Sequence, residues 1–200
     1  LHELGDCYAD ARRNAVFLCR DEAGRVVGAE MKGTVKRSDG SRFSGMAPGS
    51  AKDAGGFRLG ALAKAATVYL VESAIDAISL ARLRAAAGEK GFAIISTAGT
   101  TPQPRRWFAG IAETVRRVCA FDNDRAGDKA AEGLLRHRFE RLRPRGKDWN
   151  DDLRAATKGQ SEGGAANPAP TTEVLKAAWA ALGGRAATPE APDDGSVPDD

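Results

Sequence analysis

The apolar residues 118–121 run straight into Asp122 and, one position further on, Asp124. In extended chain, residues two apart point to the same side and lie roughly 6–7 Å from each other. Two carboxylates at that separation repel by about 2–3 kcal/mol at a protein-surface dielectric, and a bound cation would reverse that cost. Glu72 closes a second apolar run, residues 67–71, in the same way. Carboxylates delivered by strand ends offer oxygen ligands only. These suit Mg²⁺ or Mn²⁺, completed by water and substrate phosphate, and give zinc little of the nitrogen or sulfur it favours. Taken singly, the residues leave a second reading open: Asp124 suits the N-cap of a following helix, Asp122 a solvated strand end, and Asp76 a first helical turn, where it complements the dipole.

Strands must end where these side chains stand. The segments TVYLVE (67–72), FAIIST (92–97) and RRVCAFD (116–122) read as buried strands. Residues 74–87 place Ile75, Ile78 and Ala81 at helical spacing, closed by Gly88. Residues 102–115 open with prolines suited to a first turn and set Trp107, Phe108, Ile111 and Val115 on one face. After the third strand, Ala126, Ala130, Leu134, Leu135 and Phe139 predict a helix covering the sheet. This alternation predicts an α/β fold with a mainly parallel sheet flanked by helices, in which ligands collect outside the carboxyl ends of the strands.

The first 60 residues read differently. Two apolar runs flank residues 21–25, with Gly24 in the turn, and predict a β-hairpin. Residues 35–57 are rich in Gly, Ser and charge and predict a basic connecting region without regular structure. Residues 161–200 read as linker, one short amphipathic helix carrying Val174, Leu175, Ala178, Trp179 and Leu182, and a disordered acidic end. The expected organisation is a β-rich basic subdomain over 1–60, an α/β domain over 61–160, and a tail.

At 200 residues and 42% hydrophobic, the chain can bury one sizeable core. Lys64, Glu72 and Asp76 interrupt its most apolar region, which argues against a membrane span. The acidic start is unlike a secretory signal, so a cytoplasmic protein is expected, and one that begins with Leu and reads as a fragment. Cys7, Cys19 and Cys119 are odd in number and form no CxxC pair, which predicts reduced thiols. Of the 30 Lys and Arg residues, only Lys176 and Arg185 lie beyond residue 160, against seven of the 27 acidic residues. A basic body suits a polyphosphate partner, although a merely soluble basic surface has the same composition. The stretch 136–147, RHRFERLRPRGK, could form an electrostatic track or line a solvated face. His2 and His137 fit no catalytic or metal pattern, and no GxxxxGK loop is present.

VYLVESAIDAISL resembles the glutamate motif, and VCAFDNDRAGDKAA the Asp-x-Asp motif, of the Toprim domain of DnaG-type primases, type IA and II topoisomerases and certain nucleases. STAGTT resembles the primase loop that ends in a Gly-Thr pair, here Gly99 and Thr100, and RGKDWNDDL resembles the late acidic motif. More weakly, Lys32 and the Arg42–Phe43 pair resemble basic positions of the small subdomain that precedes the Toprim fold in primase cores. The resemblance extends to Toprim proteins of plasmids and other mobile elements. It departs in two places: Ser73 stands where glycine is common, and Asn150 where a second aspartate is common.

The resemblance implies metal-dependent phosphoryl transfer on a Toprim, Rossmann-like fold. Glu72, Asp122 and Asp124 would be catalytic. Together with Asp148 they would hold Mg²⁺ or Mn²⁺, with Asp76 and Asn150 in support. Lys32, Arg42, Lys147, Gly99 and Thr100 would contact nucleotide or nucleic acid. Implied partners are single-stranded DNA, nucleoside triphosphates and a helicase or relaxase. Three functions remain: primase-like nucleotidyl transfer, metal-dependent nuclease action, and nucleic-acid binding without catalysis.

Overall fold

The structure, a computed structural model, describes residues 6–100 and 111–161. The helix expected over 102–115 falls largely outside the described residues, and so do the linker, helix and acidic end expected after 161.

The chain begins with an antiparallel meander of four strands in sequence order: β1 (Cys7–Ala9), β2 (Asn14–Arg20), β3 (Val26–Lys36) and β4 (Arg42–Met46). The expected hairpin is β2–β3. Gly24 turns it at φ +82°, and the Asp21 carboxylate accepts the Arg25 backbone N–H at 2.9 Å. The expectation of an irregular segment over 35–57 is corrected: β3 continues to Lys36, and β4 pairs with it from Arg42 to Met46. Composition misled because this is a wet edge, where small and charged residues are the normal material of a strand. Gly33 is required there, since a Cβ would stand 2.9 Å from the Phe43 backbone nitrogen.

The second sheet has the order β5-β7-β6-β8-β9. β6 (Thr67–Val71), β7 (Phe92–Ser96), β8 (Arg116–Cys119) and β9 (Phe139–Arg141) are parallel, and β5 (Arg58–Leu59) is an antiparallel edge. The mainly parallel expectation holds. β5 and β9 are additions, the second drawn from the stretch read as an electrostatic track. Both were too short, at two and three residues, to show periodicity.

Alternation along the central strands builds two cores. Tyr69, Val71, Ile94, Val118 and Ala120 face α1 (Ala74–Ala86), with Phe17, Cys19 and Phe57 of the N-terminal region in the same cluster. Val68, Leu70, Ala93, Ile95 and Phe121 face α2 (Arg125–Leu135). Burying each large side chain contributes about 1.5–3 kcal/mol. A third helix, α3 (Trp149–Ser161), packs on α1. Trp149, 5% exposed, enters the α1-side core, and its indole Nε1 donates to the Ala120 carbonyl at 2.6 Å. Cys19 and Cys119 are buried and Cys7 is half-buried, all three as free thiols. Among the described residues, no helix is long and apolar enough to cross a membrane.

The Trp149 bond predicts its own cost. Trp149→Phe keeps most of the apolar burial but strands the Ala120 carbonyl, and should destabilise the protein by about 1–3 kcal/mol in urea denaturation. A change near zero would show that the bond is not holding α3.

Candidate functional site

β6 is flanked by β7 on one side and β8 on the other, so the chain reverses its direction of travel across the sheet at β6. A crevice at the carboxyl ends of β6 and β8 follows from that order. It is a cavity of about 460 Å³. One wall comes from the meander, through Glu30, Lys32, Ser44 and Met46, and the other from Glu72, Asp76, Asp122 and Asp148.

Asp122 extends the row Val118–Ala120 that faces α1, and α1 carries Asp76 in its first turn. Asp122 Oδ1 is buried with no hydrogen-bond partner. Burial first, then the charges of Asp76, Glu72, Asp148 and Asp124, push its carboxyl up to about 7. Burial also raises Glu72, although the Asp122 backbone N–H donates to Glu72 Oε1 at 3.1 Å and favours its charged form. Asp76 is 6% exposed and likewise raised by burial, against the Ser73 hydroxyl, which donates to its Oδ2. Ser73 is the N-cap of α1 and accepts the Asp76 N–H at 3.2 Å.

The remaining expected residues divide. Asp148 lines the cavity and caps α3, its Oδ1 accepting from Asp151 N at 2.8 Å. Asp124 is exposed and does not line the cavity. Its Oδ1 accepts from Gly127 N at 2.8 Å as the N-cap of α2, although its charge still reaches Asp122 and Glu72. Lys32 lines the cavity and its Nζ donates to Ser44 Oγ at 2.7 Å. Gly99 lines it too, at φ +116°, with its N–H on the Glu72 carbonyl at 2.7 Å. Thr100, Arg42, Lys147 and Asn150 are not among the lining residues; Arg42 and Lys147 are exposed, and Thr100 and Asn150 half-buried.

Two residues escaped the sequence reading. Glu30 is 2% exposed and lies in the cavity wall. Its position two residues before Lys32 on a strand was the available signal, because alternate residues share a face. Arg141 was counted in a basic track. Its side chain is 11% exposed and turned inward: Nη1 donates to Phe121 O at 2.7 Å, Nη2 to Asp122 O at 2.7 Å and to Asp128 Oδ1 at 3.0 Å. Arg143 shares Asp128, and Arg116 pairs with Glu140. Much of the 136–147 stretch is therefore committed to structure.

Among the described residues, no group of three or more Asp, Glu, His or Cys side chains is gathered closely enough to ligate one ion as the chain stands. The fit to a divalent cation lies in the donors. They are oxygen only, one of them is a buried carboxylate oxygen without a partner, and their charges repel.

The raised Asp122 has a definite pH signature. In the unfolded chain it titrates near about 4 and in the fold at about 7, so across that window the folded protein holds the extra proton and stability falls as pH rises. In metal-free protein, the stability of Asp122→Asn relative to wild type should rise as pH rises from about 4 to about 7, read from urea midpoints. A difference that does not vary with pH would contradict this.

Residues 69–153 match the Toprim-like family, and residues 1–65 match a family described as a protein of unknown function (DUF3991). A "65 kDa protein" of Zymomonas mobilis is 33% identical over 163 residues, which cover 72% of this chain and 27% of that protein. This chain therefore spans about a quarter of that relative's length. Among solved structures, the primase fragment of the bacteriophage T7 primase-helicase superposes with a TM-score of 0.52 at 18% identity, covering 80% of this chain and 67% of that one. The DnaG primase catalytic domain bound to ssDNA gives 0.51 at 19% identity, covering 82% and 58%. An acidic crevice at the switch point of the parallel sheet, the matched segment and the shared fold agree: residues 69–153 match the Toprim-like family and share their fold with the two primase structures, and an antiparallel meander precedes them.

Proposed function

We propose that the chain is a primase-like nucleotidyltransferase that uses Mg²⁺ or Mn²⁺ to join ribonucleotides on a single-stranded DNA template, in DNA replication or in the transfer of a mobile element. The observation that carries this reading is the buried, unpartnered Asp122 oxygen, at the head of a cavity with carboxylates on one wall and Lys32 on the other. The Toprim match and the fold shared with a primase fragment and a primase catalytic domain support it.

Asp122 and Asp148, with Glu72 and Asp76 beside them, are the residues that would hold the cation, and Asp124 adds negative charge from the rim. A divalent ion bound there would supply the positive charge that holds a triphosphate and stabilises departing pyrophosphate. Glu72, raised by burial, is suited to take a proton from the attacking hydroxyl. Lys32 faces the cavity as a phosphate contact, the Gly99 turn lets backbone approach closely, and Arg42, Lys147 and Thr100 extend the contact surface outward. Asn150, in the first turn of α3, supports the Asp148 end. A basic body over residues 1–160 suits a nucleic-acid template, and a helicase or relaxase is the protein partner that such a reaction calls for. The working division is a meander subdomain over 1–60 and the catalytic domain over 61–160, in a cytoplasmic protein.

The test is incubation with single-stranded DNA, ribonucleoside triphosphates and Mg²⁺ or Mn²⁺. New ribonucleotide products are expected; strand nicking instead would mark a metal-dependent nuclease, and neither product a binding module. Asp122→Ala should abolish product formation while leaving the fold and DNA binding in place, and the rise in melting temperature on adding Mg²⁺ should vanish with the site. DNA affinity itself should fall steeply with salt as counterions are released, and an affinity indifferent to salt would sink the template reading.

A further inference from the structure

Glu30 belongs to the meander, yet both of its carboxylate oxygens are spent outside it, one on α1 and one on β7. Oε2 accepts the N–H of Ala74, the first residue of α1, at 2.9 Å. Oε1 accepts the hydroxyl of Ser96, the last residue of β7. Ser96 Oγ in turn accepts the Ala98 N–H at 3.2 Å, and Gly99, the next residue, donates its N–H to the Glu72 carbonyl at 2.7 Å.

These bonds fall on the two backbone segments that aim the acidic wall. Ala74 stands midway between Glu72 and Asp76, and the 96–99 turn holds the Glu72 carbonyl. The start of a helix presents unsatisfied N–H groups and favours a negative charge. Here Ser73 and Glu30 fill that role from within the protein. A buried carboxylate held by two directed bonds is an expensive way to join two sheets, since apolar packing would do so without desolvating a charge. What the bonds add is direction.

We propose that Glu30 is a positioning residue for the cation site: it clamps the start of α1 and the 96–99 turn, and so sets where Glu72 and Asp76 point, without touching the cation itself. This rests on the metal-dependent reading of the cavity. It also assigns the meander a part in building the site that a basic contact surface would not require.

The test measures binding of Mn²⁺ alone to the whole chain by isothermal titration calorimetry, beside melting temperature without metal. Glu30→Ala should weaken Mn²⁺ by about tenfold or more, the usual range for losing a group that orients a ligand. Glu30→Gln should restore most of the affinity, because its amide can accept from Ala74 and donate to Ser96. Ser96→Ala, which removes one arm of the clamp, should fall between them and serves where Glu30→Ala does not fold. If Glu30→Ala, or Ser96→Ala in its place, lowers the melting temperature but leaves Mn²⁺ affinity unchanged, Glu30 is a structural tie only and the proposal falls alone. Equal weakness in the Gln and Ala variants would overturn it in favour of a direct charge effect. Failure of the wild type to bind Mn²⁺ would overturn both this proposal and the metal-dependent reading.

Discussion

The mutual repulsion of Asp122, Asp76, Glu72 and Asp148 is the interaction that the surrounding structure has to contain. Burial withholds the water that would screen these charges, and Asp122 Oδ1 receives no donor from the protein. Each of the four other carboxylates near it has an oxygen engaged. Glu72 accepts the Asp122 N–H, Asp76 the Ser73 hydroxyl, Asp124 the Gly127 N–H and Asp148 the Asp151 N–H. Each of these bonds lowers the cost of one carboxylate and fixes a helix start or a strand end in doing so. The site and the local fold thus share the same atoms.

Containment comes from two directions. On the β8 side, Arg141 reaches under the strand end and holds the carbonyls of Phe121 and Asp122, so the backbone that delivers Asp122 is braced by a cation directed at its carbonyls rather than at its carboxylate. A guanidinium suits this because its donors are fixed in one plane and can serve several acceptors at once. On the β6 side, Glu30 braces the start of α1 from the meander. Lys32, two residues further along β3, brings positive charge to the same wall and lowers the charge cost of Glu30 and Asp76.

How legible this was in the sequence depended on the length scale of each signal. β6 and β7 are almost wholly apolar, β8 leads from two arginines into the apolar run 118–121, and the segment after Glu72 carries apolar residues at helical spacing, so the parallel sheet and its carboxyl edge could be read directly. β4 could not, because an exposed edge strand has no buried face to imprint alternation on Arg42–Met46. β9 is three residues long and sits among arginines, where composition spoke of a charged surface while the fold used Arg141 inside. In the site, Asp122 was visible from its place at the end of an apolar run. The cap at Asp124 was one of two readings open for that residue, and the spacing could not choose between capping and ligation, because both aspartates follow the same strand. Glu30 was hidden by distance, since its partners lie 44 and 66 residues away.

The docking of α3 by Trp149 bears on the order in which the molecule can be assembled. Trp149 reaches back 29 residues to the Ala120 carbonyl, and the residue before it, Asp148, is one of the cavity's acids. The meander can pair from neighbouring segments as soon as they emerge, and such local contacts form quickly. The crevice cannot close until the last described helix has been made and has returned to the centre of the sheet. During synthesis, then, a basic meander is exposed well before its acidic counterpart is complete. The growing chain passes through a stage in which it attracts polyanions without the wall that would give them anything to react with.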